Sequence, residues 1–72
     1  MEEQFQCKLK LYRIAQGLTQ EQLANKVGVR RETIMRLEKA QYNPSLKLAI
    51  DISRVVKVPI EDIFIFDKPK EK

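Results

Sequence analysis

The side chains of this 72-residue chain best suited to chemistry crowd into one stretch. Arg30 and Arg31 follow Gly28 closely, and Glu32, Thr33, Arg36 and Lys39 continue the polar pattern beyond them. A guanidinium is a permanently charged, planar fork of donors that suits phosphate oxygens and the O6 and N7 edge of guanine. A carboxylate such as Glu32 can accept from a cytosine amino group. Lys26 to Lys39 carries five basic residues against two acidic ones, a net +3 of the chain's +4, and the pI is near 9.4. That concentration implies a polyanionic partner, the bland alternative being a solvated charged face.

Catalytic parts are missing. Histidine is absent, no glycine-rich loop is built to cradle a phosphate, and no nucleophile stands beside a base, so the chain is read as non-enzymatic. The single cysteine, Cys7, cannot form an internal disulfide, and without a Cys/His cluster neither a metal site nor a cofactor is expected. Seventy-two residues leave room for one domain, which buries only about 60% of the surface of its unfolded chain. The acidic start, Met1-Glu2-Glu3, and the lack of any apolar run near the roughly 18 residues of a bilayer span argue against secretion and membrane insertion. A cytoplasmic location is expected.

Five helices are needed to position the basic stretch. Phe5, Leu9, Tyr12 and Ala15 recur at helical spacing, with Leu11 and Ile14 on the flank, and the pattern stops at Gly17. Thr19, with Gln22 three residues later, makes a capping box that opens a second helix whose inner face is Leu23, Ala24 and Val27. Gly28 ends it, in the left-handed conformation that a sharp reversal requires. A third helix from Arg30 or Arg31 to Lys39 turns Ile34 and Leu37 inward and Glu32, Met35, Arg36 and Lys39 outward. Pro44 and Ser45 open a fourth, with Leu46, Ala49, Ile50, Ser53 and Val56 as its inner positions. Pro59 opens a short fifth carrying Ile60, Ile63 and Phe64. The domain is expected over residues 1–66, with the charged residues 67–72 as a mobile tail. Two short helices joined at a glycine, the second with a basic outer face, suit a helix-turn-helix that lays one helix across the DNA backbone and the other in the major groove. A plain helical hairpin is the alternative.

The segments GLTQEQLANKVGV, TIMRLEKAQYNPSL and VPIEDIF, in that order, resemble the lambda-repressor-like, Cro and XRE helix-turn-helix domain, over about Leu9 to Phe64. The resemblance implies an all-α, five-helix bundle that binds double-stranded operator DNA as a two-fold homodimer and usually represses transcription. It puts Gln20 on a phosphate and Arg31, Glu32 and Arg36 at base-reading positions. Arg30, Thr33 and Lys39 would face the backbone, as would Asn43, for which loop capping is the alternative. For Glu32 and Arg36 the alternative is a surface i,i+4 pair worth about 0.3 to 0.5 kcal/mol. Arg13 and Glu38 match a partly buried salt bridge that orients the recognition helix. Three positions depart from the family pattern: Arg30 replaces the usual Ser or Thr N-cap, and Ala40 and Lys57 replace glycines, so both turns must differ or bear strain of about 1 kcal/mol. The competing function is an antitoxin or coregulator that acts on a toxin or a larger regulatory partner.

IFIF, Ile63 to Phe66, is more apolar than a small bundle easily absorbs. The expectation is a short C-terminal dimerisation strand, with Val55, Ile65 and Phe66 at the interface. In the alternative, Ile65 and Phe66 fold back on their own core.

Overall fold

The computed structural model describes residues 5–66. In order, these form strand β1 (Phe5–Cys7) and helices α1 (Leu9–Ala15), α2 (Gln20–Val27), α3 (Arg31–Glu38), α4 (Leu46–Val56) and α5 (Ile60–Ile63). Strand β2 (Phe64–Phe66) follows. The five expected helices are present. The expected tail, 67–72, lies outside the described residues.

Local signals in the chain account for most boundaries. The Thr19 hydroxyl accepts from the Gln22 amide at 3.0 Å while the Gln22 side-chain oxygen accepts from the Thr19 amide at 2.9 Å, which satisfies two donors that a helix start leaves orphaned. Ser45 caps α4 by accepting from the Leu48 amide at 3.1 Å. Gly28 ends α2 at φ 76°, and Ala40 and Lys57 adopt φ 58° and 64°, so two residues with side chains bear the left-handed strain expected of them. Beyond Lys57 the Ser53 hydroxyl donates to the Val58 carbonyl at 2.6 Å and holds that turn.

One expectation about the ends of the chain is corrected. Phe5 does not begin a helix: it lies in β1, which pairs antiparallel with β2 in the register Phe5 with Phe66, Gln6 with Ile65 and Cys7 with Phe64. The expected C-terminal strand is present, and within the chain it pairs with β1. Pairing within one chain escapes the translational entropy that a second molecule must lose. The Phe5 and Phe64 rings meet edge to face with centroids 6.2 Å apart, and Phe64 is buried.

The core gathers Leu9, Leu23, Ala24, Ile34, Leu37, Leu48, Ala49, Ile52, Val56, Ile63 and Phe64. Two helices sit in a different phase from the one expected. In α4 the inward residues are Leu48, Ala49, Ile52 and Val56, whereas Leu46 is 74% exposed and Ile50 only half-buried. Lys47, Asp51 and Arg54 form one charged stripe at i, i+4 and i+7, and the buried residues lie opposite it, so the expected phase, drawn through Leu46 and Ile50, sits to one side of the face that the charges dictate. Helix α1 buries only Leu9 and Arg13. Leu11, Ile14 and Ala15 are exposed, because the position one turn after Leu9 is given to an arginine.

Candidate nucleic-acid interface

Burial of Leu23 and Ala24 on α2 and of Ile34 and Leu37 on α3 fixes the two helices against the core around the Gly28 turn. With Ile34 and Leu37 inward, Arg31, Glu32 and Arg36 are exposed on the far side of α3, together with Arg30 before it and Lys39 after it, while Thr33 is half-buried. Arg30 stands at the N-cap in extended conformation (φ −82°, ψ 154°) and gives no side-chain cap, so among the described residues the first amides of α3 carry no side-chain acceptor.

The cations of this face have no ion-pair partner among the described residues. Among the described residues the ion pairs are Arg13 with Glu38 and Lys47 with Asp51, and Glu32 and Arg36 do not pair. Arg30, Glu32, Thr33 and Arg36 line one hollow with Tyr42, a residue that helical periodicity passed over because it lies in the loop after α3. The available signal was an aromatic residue directly after a basic helix. Asn43 is exposed and lines a separate hollow with Leu46, Ile60 and Phe64. It makes no side-chain hydrogen bond among the described residues, so the loop-capping alternative is not realised.

Behind the face, Arg13 is 8% exposed and spends its whole fork internally. Its Nε donates to Glu38 Oε2 at 2.6 Å, Nη2 to Glu38 Oε1 at 3.3 Å, and Nη1 to the Leu18 carbonyl at 2.8 Å. Gln20, the first residue of α2, donates from Nε2 to the same Glu38 Oε1 at 3.1 Å. One carboxylate thus ties together α1, α2 and α3. Val55 and Ile65 are both half-buried. Val55 lines a hollow with Gln16, Leu18 and Lys26, and Ile65 lies opposite Gln6 in the sheet. Among the described residues no helix is long and apolar enough to cross a membrane.

A family profile described as helix-turn-helix matches residues 9–63. An uncharacterized HTH-type transcriptional regulator of Archaeoglobus fulgidus is 60% identical over 60 residues, which cover 83% of this chain and 86% of that protein. The transcriptional repressor RstR of the cryptic phage CTXphi, from Vibrio cholerae, is 30% identical over 59 residues, covering 82% of this chain and 53% of RstR. Among solved structures, the restriction-modification controller protein C.AhdI from Aeromonas hydrophila superposes with a TM-score of 0.69 at 29% identity, over 76% of this chain and 83% of the other.

Proposed function

Because this chain belongs to the helix-turn-helix family of DNA-binding transcriptional regulators, we propose that it is a repressor that reads a palindromic operator in the major groove as a homodimer. The observation that carries the reading is the unpaired basic face of α3. Arg30, Arg31, Arg36 and Lys39 stand exposed on it without intramolecular counter-charge among the described residues. Arg31 and Arg36 are the guanine-reading forks and Glu32 the acceptor for cytosine. Arg30, Thr33, Lys39 and Asn43 hold the backbone, with Gln20 at the start of α2, where a helix N-terminus favours an anion. Repression is proposed by analogy with RstR, whose name states it.

Two copies related by a two-fold axis would place their recognition helices about 34 Å apart, one turn of DNA. Val55, Ile65 and Phe66 are the proposed contacts, with β2 reaching the second copy along the edge that β1 leaves open in the two-stranded sheet. The test is fluorescence anisotropy on labelled duplex at increasing salt. Release of counterions from six or more phosphates lowers affinity by about 10³-fold or more between 50 and 200 mM salt. A flat response would remove the groove-binding reading. Arg31→Ala and Arg36→Ala relax base preference at separate positions, whereas Gln20→Ala weakens all sequences evenly.

A further inference from the structure

We propose that Glu38 is a positioning residue for DNA binding: the carboxylate it shares with Arg13 holds the Gln20 amide at the start of α2, so that a buried ion pair sets the geometry of a phosphate contact. The proposal rests on the reading of Gln20 given above. Glu38 Oε2 takes the short bond from Arg13, and Oε1 is shared between Arg13 and Gln20. A primary amide carries two N–H groups. One is spent on Glu38, and the other remains for a phosphate oxygen beside the Gln20 backbone N–H, which has no partner within its helix. Holding the side chain in the free protein means that its rotamer entropy is lost on folding and not on binding, the usual route by which preorganisation raises affinity. The ion pair explains why this acceptor is tolerable. A lone carboxylate behind a phosphate contact would repel the DNA, and the Arg13 guanidinium cancels that charge at 2.6 Å.

The experiment uses duplexes of a selected binding sequence in which single phosphates are replaced, one position at a time, by neutral methylphosphonates. Binding is followed by anisotropy. With the wild-type chain the position facing the start of α2 costs about tenfold in affinity, shared between the side-chain and backbone donors of Gln20. Gln20→Met reduces that penalty to about threefold, the remainder belonging to the backbone N–H. The double variant Arg13→Met with Glu38→Leu removes the acceptor without leaving a buried charge, and it reduces the penalty at this one position to the same extent while penalties facing Arg30 and Lys39 persist. An undiminished penalty in the double variant overturns the positioning role and leaves the phosphate contact standing. No penalty near α2 in the wild type overturns the Gln20 reading and the proposal with it. Side-chain amide exchange by NMR gives a second measurement on the unaltered chain. One Nε2 proton of Gln20 exchanges more slowly than those of exposed Gln41, and equal rates overturn the proposal.

Discussion

Replacing Arg13 by methionine removes two of the three donors to the Glu38 carboxylate, together with the donor to the Leu18 carbonyl. The glutamate side chain is 5% exposed, so water cannot take their place. Breaking one side of a buried pair in this way costs roughly 3 to 5 kcal/mol. At roughly 0.05 to 0.15 kcal/mol per residue, a chain of this length has about 4 to 11 kcal/mol in total, so the substitution removes about a quarter or more of its stability. In a domain this small each kcal/mol moves the melting temperature by about 4 to 8 °C, and a drop of at least about 12 °C is expected. Replacing Glu38 by leucine in the same molecule removes the stranded charge and recovers most of the loss. Lys47→Met serves as the control. The lysine head of its 2.7 Å pair with Asp51 is 85% exposed, and its loss should change stability by less than about 0.5 kcal/mol. Thermal melts and urea titrations followed by far-UV circular dichroism measure all of these. A single Arg13→Met variant that melts within about 3 °C of the parent would refute the reasoning, as would a double variant no more stable than the single.

Gly28→Ala should cost about 1 to 2 kcal/mol, measured as a shift in urea midpoint. Nothing lies within 4 Å of an added Cβ, so the cost is backbone strain alone, and Gly28→Asn should be milder because asparagine tolerates this conformation. Ala40→Gly and Lys57→Gly, at φ 58° and 64°, should each stabilise by a few tenths to about 1 kcal/mol, the relief of strain exceeding the added chain entropy; a loss in both variants would contradict it. Burial pushes the Cys7 thiol pKa up, a backbone hydrogen bond with Leu9 partly opposes it, and the nearby Glu38 charge adds a smaller upward push. The fold thus favours the protonated thiol, so its stabilising contribution is complete below the ordinary thiol pKa and is lost as pH rises through the elevated value. A Cys7→Ala variant should lack this alkaline component in its stability profile, and an identical profile in the two proteins would contradict it.

What was legible in the sequence is what local chemistry dictates. Thr19 with Gln22, the glycine at position 28, and Ile34 with Leu37 each act within a few residues, and each gives the structure it signals. The phase of α4 was legible only from its charges: Lys47, Asp51 and Arg54 lie on one stripe and the buried Leu48, Ala49, Ile52 and Val56 opposite it, whereas the apolar positions taken alone admit Leu46 and Ile50 as well. Strand β1 was not legible, because three residues are too few to show an alternation and their partner, Phe64–Phe66, lies near the other end of the chain. The contact between Arg13 and Glu38 spans 25 residues and entered through the family resemblance, not through spacing. The Gln20 hydrogen bond to the same carboxylate had no signal in the sequence at all.

Selection of bound sequences from a random duplex pool tests the central claim most directly. The wild-type chain should enrich two inverted half-sites centred about 34 Å apart, one helical turn, with guanine positions that lose their preference in Arg31→Ala and Arg36→Ala. A pool that remains random after repeated rounds, or an enriched motif left unchanged by both substitutions, would contradict the assignment of α3 as the reading helix.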